Sequence, residues 1–164
     1  MNENYAIING TRVELTDEQV KALGVETRKN PFEKVKEYYV YYRVTEYGDA
    51  EDYIESGDYT DQHLYENVNY FNDKTFANQV ALHQLLYRKL LKFAYDNECE
   101  DNQTWNKTNW HYYIDYNTEE GRFYAGAAGT FKHHDVWFCF KESTERAIKE
   151  VVEPFMKEHP DFVW

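Results

Sequence analysis

His133-His134-Asp135 is the densest group of metal-ligating side chains in this 164-residue chain. A metal held there would supply Lewis-acid or hydrolytic chemistry. Adjacent side chains on extended backbone point to opposite faces, which suits one metal poorly, so the run reads as a solvated turn. Cys139 sits between Phe138 and Phe140 in a strand-like run, where a small buried thiol is the ordinary role and a nucleophile the exception. His63, His83 and His111 are scattered, with no local Ser/His/Asp or Cys/His/Asp signature. Gly126-Ala127-Ala128-Gly129 lacks the Lys and the helix start of a phosphate cradle, and reads as a flexible or close-packed strand. No residue is assigned a catalytic role, and no cofactor or metal is implied. A metal-dependent enzyme using carboxylates with His133 or His134 is the remaining enzymatic alternative.

Charge is the stronger signal. Between positions 37 and 73 the chain places ten acids against Arg43 alone, which is nine of its twelve net negative charges. Glu46, Asp49, Glu51, Asp52, Glu55, Asp58, Asp61 and Glu66 alternate with Tyr47, Tyr53, Tyr59 and Tyr65. Carboxylates interleaved with rings that stack and hydrogen-bond suit a basic groove on another protein, or imitate a nucleic-acid backbone. The expected protein-binding surface is therefore Glu46, Asp49, Glu51, Asp52, Tyr53, Glu55, Asp58, Tyr59, Asp61 and Glu66. The alternative is a solvated acidic connection that keeps the protein dissolved.

A net charge of -12 argues against direct binding to nucleic acid or anionic membranes, both of which favour basic surfaces. No apolar run approaches the roughly 20 residues that span a bilayer. The first residues, Met1-Asn2-Glu3-Asn4, do not open a secretion signal, so the cytoplasm is the expected compartment. Cys99 and Cys139 form no framework of spacings and are expected as unpaired thiols.

The elements that must position these residues follow from local pattern. Asn9-Gly10-Thr11 between two short apolar runs predicts a hairpin. Thr16 with Gln19 predicts a capping box opening a short helix that stops at Gly24. Residues 25–31 form a polar linker. Strands are expected over 37–44, around 52–54 and over 67–71. A long helix capped by Asn72 should then run to about Tyr95 with Phe76, Val80, His83, Tyr87, Leu90 and Ala94 along its apolar stripe. Residues 98–108 read as a mobile loop. Further strands are expected over 110–116, 122–124 and 136–140. A final helix should start near Ser143, face Ala147, Ile148, Val151, Val152 and Phe155 inward, and be kinked or tightened by Pro154.

Two of these stretches say the same thing. Phe71, Ala77, Val80 and Ala81 match Phe138, Thr144, Ala147 and Ile148 at one constant offset, and the strands at Tyr38 and Trp110 match at a slightly larger one. The pattern predicts an α+β fold: an N-terminal hairpin and short helix (1–24), then two repeated antiparallel strand-helix modules (25–97 and 98–164) within one compact domain.

Several motifs also carry a resemblance. They are Leu15-Thr16-Asp17-Glu18-Gln19-Val20-Lys21-Ala22-Leu23-Gly24, Asn30-Pro31-Phe32-Glu33-Lys34-Val35, Asn69-Tyr70-Phe71-Asn72-Asp73-Lys74, Leu90-Leu91-Lys92-Phe93-Ala94 and Pro154-Phe155-Met156-Lys157-Glu158-His159-Pro160. Through them the chain resembles a family of small acidic proteins of unassigned function from phages and prophages of gut Firmicutes. The resemblance implies an accessory protein of a mobile element, acting in the cytoplasm of a bacterial host. By type alone, such proteins are similar to anti-CRISPR inhibitors, which block the basic nucleic-acid channel of a defence nuclease.

The leading expectation is a non-enzymatic binding protein whose acidic block engages a host protein with a basic surface, a CRISPR nuclease being the target by type. The alternative is a small-ligand site, for a nucleotide, in the cleft between the two copies, with Trp110 and Tyr112 stacking on it. Exposed aromatics would equally serve a homodimer.

Overall fold

The computed structural model describes residues 5–8, 10–23, 30–99, 109–132 and 135–164. The Asn-Gly hairpin forms, with β1 (Tyr5–Ile8) antiparallel to β2 (Thr11–Glu14). Gly10 supplies the left-handed backbone, φ 80°, that such a turn requires. Thr16 and Gln19 close the capping box reciprocally: the Gln19 N–H donates to the Thr16 hydroxyl at 3.2 Å and the Thr16 N–H to the Gln19 side-chain oxygen at 2.8 Å. Helix α1 (Asp17–Ala22) follows. The expected stop at Gly24, most of the linker and most of the 98–108 loop lie outside the described residues.

The two modules share a topology. In the first, β3 (Val40–Val44) pairs antiparallel with β4 (Ala50–Ile54), and β3 is bridged on its other edge by Phe71. In the second, β5 (His111–Asn117) pairs with β6 (Arg122–Ala128), and β5 is bridged by Phe138. Each bridge is a reciprocal pair of backbone bonds, Tyr42 with Phe71 at 2.7 and 2.8 Å and Tyr112 with Phe138 at 2.9 and 2.8 Å. The expected third strands are thus reduced to single bridges. The equivalent residues are Tyr42 and Tyr112, two positions away from the Tyr38–Trp110 alignment. Side chains alternate with a period of two, so that slip leaves every residue on its expected face.

Among the described residues a helix interrupts the first module alone. Residues read as acidic connection form α2 (Tyr59–Glu66), capped by Asp58, whose carboxylate accepts the Asp61 N–H at 3.0 Å. Its C-terminus closes with Val68 N–H to Tyr65 C=O at 3.1 Å and Asn69 N–H to Leu64 C=O at 2.9 Å, a Schellman pairing. Such a pairing needs left-handed backbone after the cap, and here Val68 adopts it, φ 57°, where glycine is the unstrained choice.

Helix α3 (Lys74–Asp96) is the shared spine, 23 residues and about 34 Å long. Its cap is Asp73, not Asn72: the Asp73 carboxylate accepts the Phe76 N–H at 2.9 Å, while the Asn72 amide ties the carbonyls of Asn30 and Glu33. The buried face is Ala77, Ala81, Leu86, Leu90 and Ala94, rotated from the expected stripe so that His83 and Tyr87 are exposed. The rotation follows from serving two cores. The N-terminal half packs Ala77 and Ala81 on Val44 and Phe71. The C-terminal half joins Leu86, Leu90 and Ala94 to Ile114, Phe138, Ala147, Val152 and Phe155.

The final helix begins at Lys141, just ahead of the expected Ser143. α4 (Lys141–Ala147) widens into a π turn (Ile148–Val152) and continues as α5 (Glu153–Glu158). Pro154 has no N–H to give the preceding turn, and the ladder loosens upstream of it instead of tightening, with the Glu153 N–H reaching the Ile148 carbonyl. Ala147, Ile148, Val152 and Phe155 are buried as expected, and Val151 is half-buried. Gly126 proves to be close-packed: a Cβ there would fall 2.5 Å from the Tyr113 ring.

Candidate functional site

The acidic block separates into two populations. Glu55 and Asp61 were expected on the binding surface but are 1% and 4% exposed. Each is taken inside by a tyrosine. Tyr70 donates its hydroxyl to Glu55 Oε2 at 2.7 Å, and Tyr41 donates to Asp61 Oδ1 at 2.7 Å. The two rings stack at a 4.0 Å centroid separation. Glu55 Oε1 also accepts the Gly57 N–H at 3.0 Å and faces Lys34 Nζ at 3.4 Å. Asp61 Oδ2 accepts both the N–H and the hydroxyl of Ser56, at 2.7 and 2.8 Å.

Both buried carboxylates are therefore satisfied, which is what makes their burial tolerable. Burial and the bond to Asp61 push the Tyr41 hydroxyl well above the ordinary phenol pKa, and burial with Glu55 does the same for Tyr70. Burial alone would raise Asp61, but the bonds from Tyr41 and Ser56 outweigh it and hold its carboxyl below the usual range. These four residues fasten α2 to the hairpin.

The second population is displayed. Glu46 and Asp49 lie at the β3–β4 turn, Glu51 and Asp52 on β4, Asp58 at the α2 cap and Glu66 at its end, all exposed. β4 is the outer strand of its hairpin, because β3 is closed on its other edge by Phe71. Glu51 and Asp52 stand on opposite faces of this edge strand, about 17 Å long at five residues of extended rise, with Glu46 and Asp49 at the turn that leads into it. Tyr47 stands at one end, and Tyr38 and Tyr59 lie toward the other; they are 80%, 82% and 81% exposed. Tyr53 is half-buried beneath the Arg43 guanidinium, 4.3 Å above its ring, so it braces the edge instead of protruding.

Sequence reasoning missed Tyr38, Ile54 and Val68 in this surface. Tyr38 adopts left-handed backbone, φ 69°, and so does Val68, which is also exposed. Strain of this kind persists only where the surroundings impose it: at Val68 the Schellman closure of α2 does so, and at Tyr38 the N–H is held by the Glu55 carbonyl at 2.8 Å. Nothing in the local sequence announces a positive φ at Tyr or Val. The Asp58-x-x-Asp61 spacing, by contrast, is a helix-cap signal that sequence reasoning passed over.

The expected ligand residues are not brought together. Trp110 is exposed just ahead of β5, while Tyr112 packs against the core and forms the Phe138 bridge. Neither lines the cleft between α3 and β5, where Tyr87, Tyr113 and Trp164 stand, nor the larger cleft between the β3–β4 turn, α3 and the C-terminal segment, where Asp49, Gln79, Leu82, His159 and Phe162 stand. Among the described residues no three His, Cys, Asp or Glu side chains are grouped to hold a metal, and His133 and His134 lie outside those residues. Cys99 is buried, its Sγ accepting the Cys139 N–H at 3.2 Å, and neither cysteine is in a disulfide. Among the described residues no helix is long and apolar enough to cross a membrane.

Fold and site together define an α+β scaffold of two strand-helix modules, one of which displays an acidic, tyrosine-flanked strand edge. The chain matches no family model, no curated protein and no solved structure.

Proposed function

We propose that this protein acts by binding, not catalysis, seating the β4 edge of its first module in a basic groove of a nucleic-acid-handling host protein. A defence nuclease of the CRISPR type is the target that this chemistry fits, and a phage or other mobile element the setting that the resemblance suggests. The observation that carries the reading is the near-complete exposure of Tyr38, Tyr47 and Tyr59 beside the displayed carboxylates. Exposed rings on a rigid, internally bonded support are the usual anchors of an interface. The surrounding charge steers encounter with a basic partner and sets its orientation.

The displayed acids can be reversed without touching the buried ones. Glu46→Lys with Glu51→Lys and Asp52→Lys removes the charge complementarity. Glu55 has to be left in place, since a lysine there would be buried beside Lys34. The test is to express the tagged chain in a bacterial host carrying an active CRISPR nuclease, score plasmid interference and identify what co-purifies at equal stoichiometry. The expected result is loss of interference with the nuclease bound, and recovery in the triple variant. Full interference with no retained nuclease overturns that target. Retention unchanged by the triple variant overturns the acidic edge as the contact.

A further inference from the structure

A second concave feature lies outside the acidic edge. A cleft of about 500 Å³ between α3 and β5 is lined by His83, Tyr87, Tyr113, Asp115, Asp135 and Trp164. Its volume falls within the range of small-molecule sites. The buried Leu86, Leu90 and Ile114 complete it with apolar surface.

The chemistry of its walls selects the ligand. Among the described residues no lysine or arginine contributes to the lining, whereas the carboxylate of Asp115 does. A phosphate-bearing nucleotide would meet repulsion there, and a cation attraction. Asp115 is held in one orientation, Oδ1 accepting the Tyr116 N–H at 2.8 Å and Oδ2 the Tyr124 hydroxyl at 2.8 Å. The aromatic walls are held as well. Tyr113 is wedged between Gly126 and Trp137, with a ring separation of 5.2 Å to the latter, and Trp164 is braced edge-on by Phe123 at 4.7 Å.

Aromatic surface attracts weakly hydrated organic cations better than hard metal ions, which want several converging oxygens. Guanidinium and alkylated ammonium groups are the weakly hydrated class. We propose that this cleft binds a small organic cation of the alkylammonium or guanidinium class, held by Asp115 against the rings of Tyr87, Tyr113 and Trp164. The site is separate from the β4 edge and does not depend on the partner proposed for it.

The test is a two-dimensional NMR titration of the full chain with tetramethylammonium and with spermidine at physiological salt, sodium serving as the control. Saturable shifts centred on His83, Tyr87, Tyr113 and Trp164 are expected with the organic cations and not with sodium. Asp115→Asn keeps the size of the side chain and Tyr87→Ala changes an exposed residue, so both variants should fold. Each should weaken binding about tenfold. The proposal is overturned if the shifts are as large along Glu46, Glu51 and Asp52, which would mark general attraction to an acidic protein. It is equally overturned if either cation binds both variants as it binds the parent, or if no saturable shift appears in the millimolar range.

Discussion

The two modules have the same topology and are held together differently. Around the Phe138 bridge, twelve buried residues among those described form one continuous apolar core, eight of them on α3, β5 and the final helix. Around the Phe71 bridge the corresponding apolar cluster holds only Val44, Phe71, Ala77 and Ala81. The first module makes up the difference with a polar interior in which Tyr41, Asp61, Tyr70 and Glu55 satisfy one another. What separates them among the described residues is α2, present in the first module. Its buried side chain is Asp61, so it has no apolar face to dock with and is fastened by hydrogen bonds. A repeated fold thus keeps one copy as an apolar keel and frees the other to carry charge.

The comparison breaks most visibly at the bridging phenylalanines. Phe138→Ala leaves a cavity in the larger core and should cost about 3–5 kcal/mol in urea unfolding. Asp61→Ala attacks the other kind of interior. It strands the Tyr41 hydroxyl and both Ser56 donors, and should cost about 2–3 kcal/mol. Hydrogen exchange should show that loss concentrated in β3 and α2, with β5 and β6 nearly unchanged. A loss spread evenly over both modules would mean that they do not differ in the way described.

Titration sharpens the contrast. The Asp61 carboxyl is held below its ordinary pKa, so its contribution is present above about pH 4 and is lost as pH falls through the folded-state value. Tyr41 and Tyr70 are raised, so theirs is present below about pH 10 and is lost as pH rises beyond it. Amides of the first module should therefore loosen first at both extremes, and Tyr41→Phe should flatten the alkaline limb. Smaller still, Val68→Gly relieves left-handed strain and should stabilise by about 1 kcal/mol, read as a higher urea midpoint. Last, the reversal of Glu46, Glu51 and Asp52 should leave stability within about 0.5 kcal/mol, because displayed charges support nothing.

Much of this architecture was legible. Asn9-Gly10 marked the first hairpin, Thr16 with Gln19 the first helix, and the recurrence of Phe71 with Ala77 and Ala81 as Phe138 with Thr144 and Ile148 marked the duplication. Those three pairs prove to be equivalently buried, while in the fourth Val80 is half-buried and its counterpart Ala147 fully buried. The stripe on α3 was misplaced by a fraction of a turn because a helix that serves two cores has no single face. α2 was passed over because its eight residues, Tyr59–Glu66, carry no apolar period. The acidic block was read correctly in composition, but composition does not say which carboxylates face inward.

The sequence by itself determined what is local or periodic. Turn chemistry, helix caps, alternation in the strands and the repeat all depend on neighbours a few residues apart, and the net charge on none. Only the tertiary structure decided that Glu55 and Asp61 are internal while Glu51 and Asp52 are displayed. It also decided that Tyr113 and Trp164, not Trp110 and Tyr112, meet in the cleft. The physical reason is that burying a carboxylate requires donors brought from elsewhere. Asp61 needs Tyr41, 20 residues away, and Glu55 needs Tyr70, 15 residues away, and those distances close only when the chain folds.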